Sequence, residues 1–191
     1  MEGKMIPEGK RMQIGVHTSA PLDEIMRSCM MRSDNLFAES MLRTYSKLNG
    51  YDGSTASGAK RELEYWEEKS MPLEGVVIVD GSGLSRTNRV TADFMGEMLK
   101  SMSDNVFYAS FFPLAGQEGT LRKFLAETPL DSYIAMKTGS MNGIQCYAGY
   151  KLDDDYAPTH VVVIIMNEIQ KSRQKAIKAA QDLLLSVFEE E

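Results

Sequence analysis

Apolar and polar positions change their spacing several times along this chain, and each spacing predicts a different element. Between residues 11 and 18, Met12, Ile14 and Val16 alternate with polar neighbours, which predicts a half-buried strand. Pro21 then begins a helix, and a second helix ends at Asn49-Gly50. The apolar positions of these two helices recur every three or four residues and are Leu22, Ile25, Met26, Cys29 and Met30, then Phe37, Met41, Tyr45 and Leu48.

The middle of the chain carries further helical patterns with one short apolar run between them. Helices are predicted over residues 57–68, with Ser57 as the N-cap, over 91–102 and over 120–127. Residues 76–79 are β-branched and predict a short strand that runs into Asp80-Gly81-Ser82-Gly83.

The last third of the chain has the spacing of strands. Residues 133–137, 145–152 and 160–167 are strand-like, and the gaps between them are short enough for antiparallel hairpins. A final amphipathic helix follows, with Ile177, Ala180, Leu184, Val187 and Phe188 on one face. The predicted fold class is therefore α/β in the broad sense of mixed helices and strands. Its type is α+β, an antiparallel sheet with helices packed on it.

Composition narrows the possible functions. The 191 residues are 43% apolar and 25% charged, which is typical of one globular domain. The net charge of −6 gives no basic surface for nucleic acid. The longest aliphatic run, residues 161–166, is far shorter than the roughly 20 residues that cross a bilayer, and Met1-Glu2-Gly3-Lys4 lacks the apolar stretch of a secretory signal.

No cofactor or metal is predicted. Cys29 and Cys146 lie in apolar periodic contexts where a buried thiol behaves as a small hydrophobe. His17 and His160 are the only histidines, and without clustered cysteines they make no zinc site. The acidic run 153–155 could suggest a cation site, but adjacent carboxylates cannot all converge on one ion, which favours a solvated turn.

The chemistry-bearing residues fall in two short motifs. Lys137-Thr138-Gly139-Ser140, placed at the end of a strand and the start of a turn, offers an ammonium, two hydroxyls and a glycine where another backbone can approach. Such groups can bind a peptide carboxylate beside an exposed strand edge. The alternative is a hairpin whose turn happens to be polar.

Ser33-Asp34-Asn35 is the second motif. Asp and Asn at the start of a helix commonly cap free backbone N–H groups, so an N-cap is the alternative to a functional role. The triplet does not stand alone, because Lys-Thr-Gly follows it later in the chain.

Ser-Asp-Asn followed by Lys-Thr-Gly resembles the second and third motifs of the penicillin-recognising serine enzymes, whose first motif is Ser-x-x-Lys. Three surrounding stretches narrow the match: Ser33-Asp34-Asn35-Leu36-Phe37-Ala38-Glu39, then Asp80-Gly81-Ser82-Gly83-Leu84-Ser85, then Pro113-Leu114-Ala115-Gly116-Gln117-Glu118-Gly119-Thr120-Leu121. Over roughly residues 11–188 the chain resembles the serine-type D-alanyl-D-alanine carboxypeptidase/endopeptidase family, the class C low-molecular-mass penicillin-binding proteins.

The resemblance implies a fold, a location and a site. The fold is the β-lactamase-like one, a five-stranded antiparallel sheet flanked by helices, and the location is the periplasm or cell envelope. It implies catalytic roles for Ser33, Asn35 and Lys137, with Ser33 relaying a proton and Asn35 holding the substrate amide. Thr138, Gly139 and Ser140 would form the substrate-binding strand, with the Ser140 N–H as half of an oxyanion hole. The implied ligands are the D-Ala-D-Ala end of a peptidoglycan stem peptide and, for the complete protein, β-lactams.

The family's nucleophile is not identifiable in this chain. Ser-x-x-Lys precedes Ser-x-Asn in the family, and residues 1–32 contain no such tetrad. Ser57-Gly58-Ala59-Lys60 matches the Ser-x-x-Lys pattern but comes after Ser33 in the chain. At that position Ser57 is interpreted as a helix N-cap. Residues 1–191 are therefore interpreted as a single partial penicillin-binding domain lacking its N-terminal portion, and as catalytically silent alone.

Two further hypotheses remain open. One is a non-catalytic module, a pseudoenzyme or scaffold that binds peptidoglycan peptide through Lys137, Thr138 and Ser140. The other is an unrelated serine hydrolase using Ser82 and a histidine, although Gly-x-Ser-x-Gly is not satisfied because Asp80 stands two residues before Ser82.

Overall fold

The computed structural model describes residues 12–170 and 172–188. Within these ranges six α-helices and three strands follow one another. Their order is α1 Leu22–Arg32, α2 Asn35–Leu48, α3 Thr55–Glu68, α4 Ala92–Ser101, α5 Val106–Ala109, β1 Ile134–Met141, β2 Ile144–Leu152, β3 Pro158–Met166 and α6 Arg173–Phe188, with a 3₁₀ turn at Gly119–Leu121 before β1. The predicted class, α/β of the α+β type, is confirmed, although the sheet of the described residues has three strands and not the five that the resemblance implies.

The three strands form an antiparallel sheet in the order β1-β2-β3. Asn142 and Gly143 alone connect β1 to β2, since Met141 already pairs with Ile144, and Gly143 takes the positive φ of +80° that such a tight turn needs. The second connection is held by Asp153, whose carboxylate accepts the backbone N–H groups of Asp155 and Ala157. The acidic run therefore forms a turn, as predicted.

Each face of the sheet is covered by helices. On one face Met136, Tyr147 and Val162 pack against Ala180 and Leu184 of α6. On the other face, the buried residues are Leu99, Ala109, Phe112, Ala135, Tyr150 and Leu152. The hydroxyl of Tyr150 donates to the Leu99 carbonyl at 2.7 Å, so even the polar end of this buried ring has a partner. Both faces hold β1 in a fixed position.

The helices α2 and α3 pack closely where glycines allow it. A Cβ on Gly58 would lie 2.8 Å from the Leu42 carbonyl oxygen, and one on Gly81 would lie 2.8 Å from the Ala38 oxygen. Glu39 joins these parts, because its carboxylate accepts from the Thr55 hydroxyl and from the Gly81 N–H. Residues 80–85 therefore form a loop held against α2.

Two strand predictions were wrong. Residues 12–18 form no strand and Ile14 is 94% exposed, while Arg11 lies outside the described residues. A strand is stable only when a neighbour accepts its hydrogen bonds, and nothing in the described part of the chain pairs with this segment. Residues 76–79 contribute only an isolated bridge between Val77 and Arg89.

The helix predicted over 120–127 is also wrong beyond its first turn. The 3₁₀ turn ends at Leu121, and Leu125 and Glu127 then take positive φ values of 57° and 60°. The Leu125 N–H donates to the Gln181 side chain of α6 at 2.8 Å while the Leu125 side chain is buried. Packing against α6 has outweighed the helical pattern of this segment.

Candidate active site

The two motifs meet in the structure. The Lys137 ammonium donates to the Ser33 hydroxyl at 2.7 Å, across 104 positions of sequence, and to the neighbouring Thr138 carbonyl at the same distance. α1 supplies Ser33 and β1 supplies Lys137. The contact joins the helical part of the molecule to the sheet.

Ser33 ends α1 in the left-handed region, with φ 56° and ψ 50°. The Asp34 N–H then donates back to the Cys29 carbonyl, and the Asp34 carboxylate accepts the Phe37 N–H at 3.0 Å as the N-cap of α2. The capping interpretation therefore holds for Asp34 only. Asn35 is the exposed first residue of α2, beside the exposed Ser33.

Burial lowers the pKa of Lys137, and the negative charge that the nearby Cys29 carries when ionised partly opposes this. Burial is also the main cause that raises the pKa of Cys29, and the Asp34 carboxylate raises it further. The thiol donates to the Asp34 carbonyl at 3.4 Å, which is ordinary for sulfur. The two shifts have opposite signs because burial disfavours the ammonium and the thiolate alike. Cys29 is thus a neutral, buried packing group in the last turn of α1.

Residues 137–140 lie within β1, not at its end as the sequence suggested, because the strand continues to Met141. Alternation along the strand places Lys137 and Gly139 on one face, Thr138 and Ser140 on the other. Thr138 donates its hydroxyl to that of Thr120 at 2.9 Å, while Gly139 and Ser140 are exposed.

The outer edge of β1 is open along the motif. The preceding half is covered, because Met136 donates to the Pro113 carbonyl and Ala115 donates to the Ile134 carbonyl. From Lys137 to Met141, no strand of the described chain pairs with this edge. An extended peptide can therefore add there as a further strand, beside the ammonium and the hydroxyls.

The serine of the misplaced Ser-x-x-Lys tetrad is structural. The N-cap of α3 is Ser54, not Ser57 as predicted, and α3 begins at Thr55. The Ser57 hydroxyl lies 2.6 Å from that of Ser46 and donates to Asp52, while Lys60 pairs with Glu64.

A second tetrad, Ser172 to Lys175, was overlooked in the sequence and stands at the start of α6. The Ser172 hydroxyl accepts the Lys175 backbone N–H at 3.4 Å, which is the geometry of a helix cap.

The hydrogen bonds around Asp52 predict an acid-dependent stability. The Ser57 hydroxyl and the Ser54 N–H lower the pKa of Asp52 from 3.8 to about 2. Because the folded pKa is the lower one, the stabilisation is present above pH 4 and is lost as the pH falls from 4 to 2. We expect Ser57→Ala to flatten this decline in denaturant unfolding curves measured between pH 2 and 6. Ser110→Ala removes a surface hydroxyl that bonds only within its own turn, and should leave the decline unchanged. An equal slope in wild type and Ser57→Ala would contradict the assignment.

The residues proposed for a different hydrolase lie on separate elements. Ser82 belongs to the loop against α2, and its oxygen accepts the Leu84 N–H. His160 is on β3 with its ring edge-to-face on Phe188, and His17 precedes α1. Across the described ranges, no three His, Cys, Asp or Glu side chains converge as metal ligands. No helix in the same ranges has the length and apolarity needed to span a membrane.

Sequence reasoning missed three residues of this region. Thr120 contacts Thr138, Gly119 packs beneath α1, and Arg27 of α1 donates to the Glu118 carboxylate at 3.2 Å. Gly119 and Thr120 belong to the stretch 113–121 that supported the resemblance. The sequence therefore marked them, but it did not indicate what either residue does. Arg27 had no signal, because exposed arginines on helices are common.

Comparisons with known proteins show the family of this chain. The model of the D-Ala-D-Ala carboxypeptidase 3 (S13) family matches residues 5–187. Penicillin-sensitive carboxypeptidase A of Dictyostelium discoideum is 32% identical over 159 residues, and D-alanyl-D-alanine carboxypeptidase DacB of Haemophilus influenzae is 30% identical over 158. Each alignment covers 78% of this chain and 30% and 33% of the relative, respectively. The chain thus spans about a third of the length of these curated relatives.

The fold also matches a solved structure. Penicillin binding protein 4 (dacB) from Haemophilus influenzae, in complex with a novel β-lactam, superimposes with a TM-score of 0.81 at 24% identity. The match covers 90% of this chain and 42% of that one. At this identity the likeness shows the fold alone.

Proposed function

Because the chain belongs to the D-Ala-D-Ala carboxypeptidase 3 (S13) family, we propose that it carries the substrate-binding half of a serine-type D-Ala-D-Ala carboxypeptidase/endopeptidase site acting on peptidoglycan. The observation that carries the proposal is the hydrogen bond from Lys137 to Ser33. It brings together Ser33, which follows α1, and Lys137 of β1, two of the residues that the family resemblance selects.

In this proposal the peptide binds along the open edge of β1. Its terminal carboxylate lies at that edge, where the Lys137 ammonium reaches it from one face and the hydroxyls of Thr138 and Ser140 from the other. The Thr138 hydroxyl then exchanges its Thr120 partner for the carboxylate, and all three groups make charge-assisted hydrogen bonds. The Ser140 N–H points from an edge strand, so it is free to stabilise a developing oxyanion. Asn35, exposed at the start of α2, holds the substrate amide.

Ser33 relays a proton towards the leaving amine. Lys137 orients the Ser33 hydroxyl by donating to its oxygen, which leaves the hydroxyl proton directed away from the lysine. The positive field of Lys137 also favours the negative charge that develops on the substrate. The first effect requires the 2.7 Å contact, and neither effect supplies a nucleophile.

The nucleophile of the complete site is proposed to come from a Ser-x-x-Lys tetrad outside this sequence, in a single penicillin-binding domain of which residues 1–191 are part. In this interpretation the chain alone is catalytically silent and, with its full site, is acylated by β-lactams at the cell envelope. Ser57 and Ser172, the serines of the two tetrads present, are both engaged at helix starts.

A second candidate function rests on the same absence of a preceding Ser-x-x-Lys. The chain would then be a non-catalytic module that binds stem peptide through Lys137, Thr138 and Ser140, or that assembles with another chain. Both candidates require binding at β1, and they differ in whether an acyl-enzyme forms once a nucleophile is supplied.

Two measurements on the folded chain test the proposal. Calorimetric titration with a peptide ending in D-Ala-D-Ala should give saturable binding, and the same peptide amidated at its C-terminus should bind more weakly because it lacks the carboxylate. Intact mass after incubation with penicillin should be unchanged. A penicilloyl adduct would overturn the silent part, with Ser57 and Ser172 as the first residues to substitute, and no preference between the two peptides would overturn the carboxylate site.

A further inference from the structure

Residues 113–121, which we call the spacer loop, lie between the two elements that carry the proposed site. One end of the loop is fixed to β1. Met136 donates to the Pro113 carbonyl at 3.1 Å, and Ala115 donates to the Ile134 carbonyl at 2.8 Å. Met136 directly precedes Lys137 in β1. The two bonds therefore fix the start of the spacer loop to the strand beside Lys137.

The other end of the loop carries α1. A Cβ built on Gly119 would lie 2.6 Å from the Met31 carbonyl oxygen and 3.2 Å from the Pro113 ring, and Gly119 has a positive φ of +49°. Met31 stands two residues before Ser33, in the last turn of α1. The end of the helix therefore rests directly on the bare backbone of Gly119.

Further contacts hold α1 and β1 to the loop on either side of Gly119. The Arg27 guanidinium donates to the Glu118 carboxylate at 3.2 Å and to the Ser110 carbonyl. Thr120, the next residue, accepts the Thr138 hydroxyl at 2.9 Å. Glu118 and Gly119 thus contact α1, and Thr120 contacts β1.

We propose that Gly119 is a positioning residue, whose lack of a side chain sets how closely the end of α1 approaches β1 and so maintains the hydrogen bond from Lys137 to Ser33. The inference rests on the proposed function for its importance to peptide binding. A methyl group at residue 119 would have to move the Met31 oxygen from 2.6 Å to about 3.4 Å, where contacts become ordinary. A displacement of about 0.8 Å transmitted to Ser33 takes a 2.7 Å bond beyond hydrogen-bonding distance.

The test is Gly119→Ala, read at Lys137 itself. Titration of the labelled Lys137 side chain by NMR should show its pKa rising towards the ordinary value, because burial is the main cause of its lowering and water enters as α1 moves out. Affinity for the D-Ala-D-Ala peptide should fall at least about fivefold. Gly50→Ala is the matched control: Gly50 has φ +84° but nothing within 4 Å of a new Cβ, so it carries the backbone strain without the contact.

A second pair of variants covers the case in which Gly119→Ala fails to fold. Arg27→Ala removes the exposed bonds from α1 to Glu118 of the spacer loop and to the Ser110 carbonyl that precedes the loop. Arg43→Ala removes a comparable exposed bond from α2 to the Gly53 carbonyl. The pKa of Lys137 should rise in the first variant and stay constant in the second. An unchanged Lys137 titration in folded Gly119→Ala, or in Arg27→Ala if the first does not fold, overturns the proposal. Failure of the unaltered chain to bind peptide would instead overturn the proposed function, with the titration still decisive for Gly119.

Discussion

Lys137→Met is expected to weaken binding of a D-Ala-D-Ala peptide by about 10- to 100-fold in calorimetric titration. A hydrogen bond to a charged group contributes roughly 1.5–3 kcal/mol, and each 1.4 kcal/mol is a factor of ten in affinity. The variant should nevertheless unfold no more easily than wild type at pH 7. Burial lowers the pKa of Lys137, which means that the folded protein holds this charge at a cost that methionine does not carry.

The same variant has a distinct pH signature. Since the folded pKa lies below the unfolded value of 10.5, the unfolded chain binds more protons between the two, and wild-type stability rises with pH across that window. Lys137→Met should lack this rise. Lys100→Met, at an exposed lysine paired with Glu97 on α4, should retain both the rise and the peptide affinity. Wild-type affinity in Lys137→Met would contradict the carboxylate site.

Gly149→Ala is expected to lower the free energy of unfolding by about 3 kcal/mol or more. Gly149 pairs with Met136 across the β1–β2 ladder, and a Cβ there would lie 2.1 Å from the Ala135 oxygen and 2.7 Å from the Met136 Cα. Both atoms belong to the backbone of β1, so no side-chain rotation relieves the overlap, and overpacking of this kind typically costs 1–3 kcal/mol or more. Urea unfolding followed by circular dichroism measures the change.

Gly96→Ala is the matched control, because it adds the same methyl group where none of the described atoms lies within 4 Å. Gly96 is inside α4, so alanine should stabilise the protein by about 0.5–1 kcal/mol. The two substitutions thus have opposite signs. A loss below about 1 kcal/mol for Gly149→Ala would mean that β1 can shift to accept the methyl group, and peptide affinity would then report how far it has moved.

Periodicity predicted the elements whose apolar faces decide their structure. The helices α1, α2 and α4 begin and end within two residues of their predicted limits. Their ends could be predicted because residue types such as the N-cap Thr91 and the turn residue Asn49 mark helix boundaries. The meander was predicted for the same reason, although β1 extends four residues beyond its predicted end. That extension is set by pairing with β2, which a single segment cannot reveal.

Elements decided by distant partners were missed. Met12, Ile14 and Val16 have the alternation of a strand, but alternation alone provides no hydrogen-bonding neighbour. Leu125 sits in a helical pattern, yet its N–H is taken by Gln181. For the candidate site the motif residues were found and brought together at Lys137 and Ser33, whereas the residues that set their spacing belong to the loop that no local pattern describes.

The left-handed backbone of Ser33 restricts which hydroxyl this position accepts. At φ 56° and ψ 50° a β-branched residue is a steric outlier, and a non-glycine residue held there costs of order 1–3 kcal/mol. Threonine would supply the hydroxyl but disfavours the left-handed backbone conformation. Glycine adopts that conformation readily but has no hydroxyl. Asparagine tolerates the bend but presents an amide in place of an oxygen that both accepts and donates. Serine is thus the side chain that supplies both the sharp corner between α1 and α2 and a hydroxyl at its apex, and threonine, its usual conservative replacement, does so only with backbone strain.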